Sequence, residues 1–301
     1  MDASVKRRLS ELLPGARFDE AMSLHTTFRI CGPADCYFEA AGAAELSRAL
    51  SAARELGLPW FMLGWGSNLL VRDRGLRGMT VRLRGEFEAV EFLPERRVRC
   101  GAGVRVPQLV ALCAENGLAG TEPLVGVPGT VGGALVMNAG TREGEIGSLV
   151  REVSTLDFET FSPTLLGREH LRFSYRSSNL ENRVILGCVL ELQTGDKVDI
   201  MDRVRRNQQR RLQTQPIHTY NVGSVFKNPP GRFVAKLIEE AGLKGMSRGG
   251  ARVSPLHANF IENSADAAAR DVLELVGEIR ERIRALHGLE LELEMKVVGD
   301  A

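Results

Sequence analysis

The sequence predicts a protein of mixed helices and strands that is divided into two or three domains. The chain has 301 residues, and its 44% hydrophobic and 26% charged content is that of an ordinary globular protein. Segments with helical spacing of apolar residues alternate along it with short apolar runs that are typical of strands. Together these observations exclude a disordered chain, a collagen and a small disulfide-bonded scaffold.

Helices are predicted where apolar residues recur at helical spacing and a glycine or proline ends the segment. They cover residues 5–13, 45–56, 108–116, 232–241 and 266–287, and the polar, arginine-rich stretch 199–213 resembles an exposed connecting helix. Apolar runs predict strands at 60–63 and 79–83, and strict alternation of apolar and charged residues predicts a half-buried strand over 289–297. For the longest helix we expect Asn263 or Ser264 as the N-cap and Gly288 just beyond the C-terminus.

Charge and cysteine content narrow the class of protein. The 39 basic and 38 acidic residues give a net charge of +1, so no overall basic field favours nucleic acid or an anionic membrane. Five cysteines without a CxxC pair indicate reduced thiols and no metal site. The first residues lack an apolar core, and the uncharged stretch 123–141 is rich in glycine, which indicates a buried loop rather than a membrane span. We therefore expect a cytoplasmic protein.

Two glycine-rich loops are the main candidates for a binding site. Without Cβ atoms, successive backbone N–H groups can converge on phosphate oxygens, and two such loops favour a diphosphate-bearing cofactor over a pair of tight turns. The first loop contributes Gly64, Gly66, Ser67, Asn68 and Leu69. The second contributes Gly126, Gly129, Thr130, Gly132, Gly133 and, a little further on, Asn138.

Four further features carry polar chemistry. Arg176 follows Tyr175 among hydroxyl residues, where a guanidinium can hold a carboxylate through two hydrogen bonds or remain a surface side chain. Ser224, Lys227 and Asn228 lie within five residues, which is consistent with an anionic substrate or with a turn. An arginine-rich stretch, 203–211, is typical of a solvated helix face, and Glu294 alone is most simply a solvated strand residue.

Taken in order, these segments make the chain resemble the UDP-N-acetylenolpyruvoylglucosamine reductase family. The segments that carry the resemblance are His25–Arg29, Gly64–Val71, Gly126–Gly133, Met137–Gly140, Ser174–Arg176, Gly223–Pro229, Lys236–Gly245 and His257–Ile261. The chain departs from the family pattern at Cys31, Ala235, Leu293 and Met295. None of these departures removes a group to which the resemblance gives a catalytic role.

The resemblance implies an α+β protein. A two-subdomain FAD-binding module of the vanillyl-alcohol-oxidase (PCMH) type would cover residues 1–198, divided near residue 84, and an α+β substrate domain would cover 199–301. The last strand would be able to pack back on the FAD module. FAD would bind non-covalently on the two glycine loops, NADPH would donate the hydride, and a UDP-sugar would be the substrate. The chain resembles the shorter type of the family, which lacks an additional tyrosine-bearing segment, and we expect a monomer.

The resemblance also implies residue roles. Ser224 matches the general acid, Arg176 the arginine near the substrate carboxylate, and Glu294 the catalytic glutamate. Substrate contacts are expected from Tyr175, Arg176, Lys227, Asn228 and Arg211. Two alternatives remain open: an FAD-dependent sugar or hydroxy-acid oxidase on the same scaffold, and a catalytically silent module that binds flavin or a sugar nucleotide.

Overall fold

The computed structural model describes residues 1–30, 32–157 and 160–300, so the departure at Cys31 lies outside the described residues. The first third of the chain forms a sheet with two helices packed against it. Its elements are α1 (Ala3–Leu12), β1 (Arg17–Ala21), β2 (Pro33–Ala40), α2 (Ala43–Glu55), β3 (Trp60–Leu63), β4 (Leu69–Val71) and β5 (Leu76–Leu83). The sheet has the order β1-β2-β5-β3, in which β5 runs parallel to β2 and β3 while β1 is antiparallel to β2.

The middle of the chain forms a five-stranded antiparallel sheet, two helices and several short strands. The elements of this part of the chain are β6 (Val90–Leu93), β7 (Arg97–Gly101), α3 (Val106–Glu115), β8 (Leu118–Ala119), α4 (Val131–Met137), β9 (Gly140–Thr141), β10 (Gly144–Glu145), β11 (Val150–Leu156), β12 (Pro163–Gly167), β13 (Phe173–Ser174), β14 (Ser177–Ser178), β15 (Val184–Glu191) and β16 (Gln193–Thr194). The five-stranded sheet has the order β12-β11-β15-β7-β6. One hydrophobic core extends from Leu9 to Leu192, so the two sheets and their helices share an interior.

The rest of the chain is joined to this core by the long helix α5 (Lys197–Thr214). It contains α6 (Val234–Glu240), β17 (Ser247–Arg248), β18 (Ala251–Val253), β19 (Ile261–Asn263), α7 (Ala269–His287) and β20 (Lys296–Val298). A second hydrophobic core lies under α6 and α7, and it includes Phe28, Ile30 and Leu70 from the first third of the chain. Because β20 also pairs parallel to β4, the C-terminal end of the chain is bonded to the first loop region.

Mixed helix and strand content confirms the α+β prediction, and the predicted helices and the strands at 60–63 and 79–83 are present with small shifts at their ends. The N-cap prediction for α7 is wrong. The cap residue is Ala268, because the Asp73 carboxylate, from the turn after β4, accepts hydrogen bonds from the first two helical N–H groups, those of Ala269 and Arg270. Gly288 has the predicted left-handed conformation, with φ of 65°.

The predicted strand over 289–297 is wrong for most of its length. Only Lys296–Val298 is a strand, and Leu293 makes a single bridge to Phe226. Leu291 and Met295 are buried in the second core. The side chain of Glu294 is largely buried as well, so the interpretation of Glu294 as a solvated strand residue is wrong. Only Lys296–Val298 is paired with another strand. The alternation of apolar and charged residues before it therefore arises from packing against the Phe226 segment and the site rather than from a sheet. In the described parts of the chain, no helix is both long and apolar enough to cross a membrane.

We expect the second core to be sensitive to truncation on α7. Ile283 is fully buried, so Ile283→Ala leaves a cavity and should lower the free energy of unfolding by about 2–5 kcal/mol. The neighbouring Arg282 is exposed, and Arg282→Ala should stay within about 0.5 kcal/mol of wild type. Urea denaturation of both variants measures the difference, and equal losses would show that α7 does not stabilise the protein through its buried face.

Candidate functional site

The two glycine loops lie against each other. The first loop follows β3, and Ser67 Oγ donates a hydrogen bond of 2.7 Å to Pro128 O in the second. A Cβ atom on Gly64 would lie 2.8 Å from Thr130 Oγ1, and one on Gly129 would lie 3.3 Å from Ser67 Oγ. Side chains at these glycines would crowd the contact between the loops, so glycine at these positions allows the two predicted loops to pack against each other.

In the first loop, Gly66 occupies a position at which no other residue type fits. Its φ is +67°, and a Cβ would lie 2.3 Å from the backbone oxygen of His25. Only glycine fits this combination of left-handed backbone and close approach. The buried Thr26 Oγ1 beside it has no hydrogen-bond partner among the described residues, which leaves a hydroxyl group available at the first loop.

The second loop ends in a short helix, α4. Thr130 is its N-cap, and its hydroxyl oxygen accepts a hydrogen bond of 3.4 Å from Gly133 N. Gly132 packs against Ala102, where a Cβ would lie 3.0 Å from the Ala102 Cβ. The predicted cofactor residues Gly126 and Gly129 thus lie in the loop before α4, Thr130 caps the helix, and Gly132 and Gly133 belong to its first turn.

Asn138, which ends α4, has a side chain that is already used within the protein. Its Nδ2 donates to Glu145 Oε2 and to Ser174 O, and its Oδ1 accepts from Gly147 N. The side chain therefore holds the start of the β13–β14 hairpin, and the predicted cofactor contact of Asn138 depends on its backbone alone.

Asn68 and Leu69 connect the first loop to the end of the chain. Asn68 Nδ2 donates a hydrogen bond of 3.0 Å to Glu294 O, and Asn68 O accepts one from Lys296 N. Leu69 begins β4, which pairs with β20. The predicted cofactor loop and the predicted catalytic glutamate are therefore held in one hydrogen-bonded unit.

Arg211, from the last turn of α5, lies against the second loop. Its Nη1 donates to Val125 O at 3.3 Å, and a Cβ on Gly126 would lie 3.0 Å from its Cδ. Its Nε is buried without a hydrogen-bond partner among the described residues, and burial lowers the pKa of this guanidinium. A cation with a spare donor beside two glycine loops fits a diphosphate-bearing cofactor.

Arg176 and Glu294 form the centre of the predicted catalytic site. Arg176 sits between β13 and β14 with φ of +55°, and its Nε donates a hydrogen bond of 2.7 Å to Glu294 Oε1. Its Nη2 donates to Gly140 O at 3.0 Å. The two side chains are only 18% and 15% exposed. Burial raises the pKa of Glu294, while the positive charges of Arg176 and Lys227 act in the opposite direction.

The segment that carries Ser224 and Lys227 lies along the segment that carries Glu294. Glu294 N donates to Val225 O at 2.9 Å, and Lys227 N donates to Glu292 O at 2.9 Å. Ser224 immediately precedes this pairing, and the Lys227 ammonium forms a salt bridge with Glu292. The structure therefore brings Arg176, Ser224, Lys227 and Glu294, which are far apart in sequence, into one region.

Tyr175 and Asn228 meet at the edge of this region. The backbone N and the Nδ2 of Asn228 lie 3.4 and 3.5 Å from the Tyr175 hydroxyl oxygen. Both residues are exposed, so this predicted pair of substrate contacts is accessible from solution.

Asn259 is a positioning residue to which the sequence reasoning gave no role. Its Oδ1 accepts from Phe226 N at 3.0 Å, its Nδ2 donates to Phe226 O at 2.9 Å, and its backbone O accepts from Val225 N. The buried side chain thus fixes the segment between Ser224 and Lys227. The only signal in the sequence is its place in the segment His257–Ile261, which contributes to the family resemblance.

The fold and the site together define a flavin-dependent oxidoreductase. Residues 34–159 match the model of an FAD binding domain, and residues 215–298 match that of the UDP-N-acetylenolpyruvoylglucosamine reductase C-terminal domain. The chain belongs to the UDP-N-acetylenolpyruvoylglucosamine reductase family, which confirms the resemblance and the predicted FAD-binding fold.

Relatives match over almost the whole chain. The UDP-N-acetylenolpyruvoylglucosamine reductase of Moorella thermoacetica is 44% identical, and the alignment covers 94% of this chain and 93% of that protein. The enzyme of Geotalea uraniireducens is 39% identical over 99% of both chains. The crystal structure of the enzyme from Thermus caldophilus has a TM-score of 0.82 at 36% identity and covers 94% of this chain and 98% of that chain.

We expect the stability of the protein to depend on the protonation of Glu294. Because its pKa is raised above the ordinary value of 4.5, the folded protein binds this proton more tightly than the unfolded chain does. The resulting stability is complete below the unfolded pKa and is lost as pH rises through the folded pKa. The unfolding free energy of wild type should therefore fall relative to Glu294→Gln over this window, in denaturant titrations from about pH 4 to about pH 7. Parallel curves would contradict the raised pKa.

We expect Asn259→Ala to destabilise the protein by about 2 kcal/mol or more, because the variant leaves the Phe226 N–H and C=O groups buried without partners. Asn116→Ala is the matched control, since its exposed amide donates only to Leu112 O within the end of α3. Unfolding free energies from urea titrations compare the two. A loss no larger than that of the control would refute the positioning role of Asn259.

Proposed function

We propose that this protein reduces UDP-N-acetylglucosamine enolpyruvate to UDP-N-acetylmuramate with NADPH, through FAD, in the synthesis of peptidoglycan precursors. The observation that carries the proposal is the buried Arg176–Glu294 pair, which lies beside the segment of Ser224 and is hydrogen-bonded through Asn68 to the first glycine loop. The proposal is supported because an arginine, a serine and a glycine loop, to which it gives the roles of carboxylate-binding group, proton donor and cofactor loop, lie around one location.

In this proposal, the two glycine loops hold the FAD pyrophosphate. The contact between the loops Gly64–Leu69 and Gly126–Gly133 and the unpartnered Nε of Arg211 beside them support this assignment, which extends the predicted substrate role of Arg211 to the cofactor. When bound, the flavin supplies the two-electron chemistry, taking a hydride from NADPH and giving it to the double bond of the substrate. The chain's own residues supply binding, orientation and proton transfer.

Arg176 would hold the carboxylate of the enolpyruvyl group. Hydride addition at the β-carbon develops negative charge on that carboxylate, and a preoriented guanidinium stabilises charge that appears in the transition state. Glu294 fixes the orientation of Arg176 through the 2.7 Å hydrogen bond. Burial raises the pKa of Glu294, so this carboxylate takes up a proton more readily than an exposed glutamate does, and once protonated it does not repel the developing charge.

Ser224 would then protonate the α-carbon, which completes the addition of a hydride and a proton across the double bond. A serine hydroxyl is a weak acid, and Lys227 lies three residues away to assist, with its ammonium shared with Glu292. Tyr175 and Asn228 would contact the remainder of the substrate.

The finer assignments belong to the same proposal. The FAD-binding module comprises residues 1–198 and the substrate domain residues 199–301, with β20 returning to the first part of the module. We further propose that the protein is of the shorter type within its family, acts as a monomer in the cytoplasm, and binds neither nucleic acid nor membrane.

The visible absorption spectrum of the purified protein tests the function directly. A yellow protein that bleaches with NADPH without oxygen and regains its colour with the enolpyruvyl sugar nucleotide supports the proposal. A yellow protein that ignores NADPH but consumes oxygen with a sugar or hydroxy acid is an oxidase. A protein that takes up no FAD refutes the role of the glycine loops.

We expect Ser224→Ala to lower the rate of substrate reduction by roughly 10²–10⁴-fold, the usual contribution of a general acid. Flavin bleaching by NADPH should be unchanged, because that step needs no proton at the α-carbon. Stopped-flow absorbance measures the two half-reactions separately, with Ser10→Ala on α1 as the control. Equal loss in both half-reactions would mean that Ser224 has a structural role rather than the proposed one.

A further inference from the structure

A guanidinium lies over an exposed aromatic ring at the edge of the Arg176 site. Arg142 is in the turn between β9 and β10, and its Cζ is 4.1 Å from the centroid of the Phe233 ring. Phe233 immediately precedes α6 and is 49% exposed. The contact joins the middle of the chain to its C-terminal part.

Both residues are tied to the proposed catalytic site by short paths. Gly140, two residues before Arg142, accepts the hydrogen bond from Arg176 Nη2. Val234, next to Phe233, donates through its backbone N to Asn228 Oδ1 at 3.0 Å. Asn228 also contacts Tyr175, so the Arg142–Phe233 contact lies beside the Tyr175–Asn228 contact. Both contacts join the middle of the chain to its C-terminal part.

Arg142 differs from Arg176 and Lys227 in having no acidic partner among the residues that the structure describes. Arg176 is paired with Glu294, and Lys227 with Glu292. In the parts of the chain that the structure describes, no carboxylate forms a salt bridge with Arg142.

The adjacent carboxylate is directed elsewhere. Glu143 is turned toward α5, where it meets Asn207 Nδ2 at 2.9 Å and Arg210 Nη1 at 3.4 Å. The Arg142 guanidinium is therefore free to bind an anion without first breaking an ion pair.

We propose that Arg142 and Phe233 form the subsite for a nucleoside diphosphate. A guanidinium binds phosphate oxygens through paired hydrogen bonds, and an exposed aromatic ring offers a face on which a nucleobase stacks. The inference rests on the proposed function, in which two ligands carry this chemistry: the UDP portion of the substrate and the adenine dinucleotide portion of NADPH. Arg142 and Phe233 bind the nucleotide at the edge of the site, while Arg176 binds the reacting carboxylate.

The test measures nucleotide binding to the FAD-loaded protein without turnover. UDP and NADP⁺ are titrated separately by calorimetry against wild type, Arg142→Ala, Arg142→Lys and Phe233→Leu. Arg232→Ala is the matched control, because it removes the same charge from an exposed residue next to Phe233. All of the replaced side chains are exposed, and thermal unfolding of each variant verifies that it is folded.

The expected result is an increase of about tenfold or more in the Kd of UDP, of NADP⁺ or of both for Arg142→Ala. Arg142→Lys should recover only part of the loss, since an ammonium does not reproduce the planar fork. Phe233→Leu should weaken binding several-fold, and Arg232→Ala should have little effect. A UDP-only effect assigns the subsite to the sugar nucleotide, and an NADP⁺-only effect assigns it to the hydride donor. Unchanged Kd values for both ligands, or an equal loss for Arg232→Ala, would overturn the subsite.

Kinetics distinguish this outcome from failure of the proposed function. If the protein reduces the enolpyruvyl sugar nucleotide and Arg142→Ala changes neither KM, the function stands and the subsite is refuted. If the protein binds UDP in an Arg142-dependent manner but does not reduce that substrate, the subsite stands and the proposed reaction is refuted. A raised KM with nearly unchanged kcat is the expected result, because the subsite binds a part of the ligand that does not react.

Discussion

The ion pair between Arg176 and Glu294 is the interaction on which the arrangement of the site depends. It joins a hairpin in the middle of the chain to the last few residues, and both side chains are largely removed from water. A buried pair of this kind contributes little net stability, because desolvation of the two charges offsets their attraction. Its importance is geometric, since the surrounding backbone must place both groups before the pair can form.

That placement comes from hydrogen bonds on both sides of the pair. Gly140 O receives Arg176 Nη2, while Asn138 holds the start of the same hairpin through Ser174 O. On the other side, backbone bonds from Glu294 N to Val225 O and from Lys296 N to Asn68 O fix the final segment. The position of the pair therefore depends on three distant parts of the chain, which contain Gly140, Val225 and Asn68. Loss of the contacts from any one of them would leave Arg176 or Glu294 less firmly held.

This non-local origin explains which features the sequence predicted. Helices and turns depend on neighbouring residues, so α7 and its terminal Gly288 follow directly from periodicity and backbone preference. The extended segment before β20 resembles a strand in sequence, but its alternation arises from packing against the Phe226 segment and the second core. The capping of α7 by Asp73 and the positioning role of Asn259 have no local signature, because each group acts on backbone that is distant in sequence. For the same reason the site residues could be identified by family resemblance, whereas their mutual contacts required the fold.

Helix α5 shows how a segment that is typical of a solvated surface takes part in the site. Ile200 is its buried residue, which agrees with the prediction of an exposed helix. Two of its arginines nevertheless point inward: Arg203 forms hydrogen bonds with the buried Glu122 carboxylate, and Arg211 lies against Gly126. These contacts attach the helix to both ends of the segment 122–126, which leads into the second glycine loop and includes its first residue. Because α5 also leads into the segment of Ser224, the same helix connects the second glycine loop to the C-terminal part of the chain. A helix with a polar, exposed sequence therefore helps to fix the relative position of the two regions, because two of its arginines contact the segment before the loop while its C-terminus continues toward Ser224.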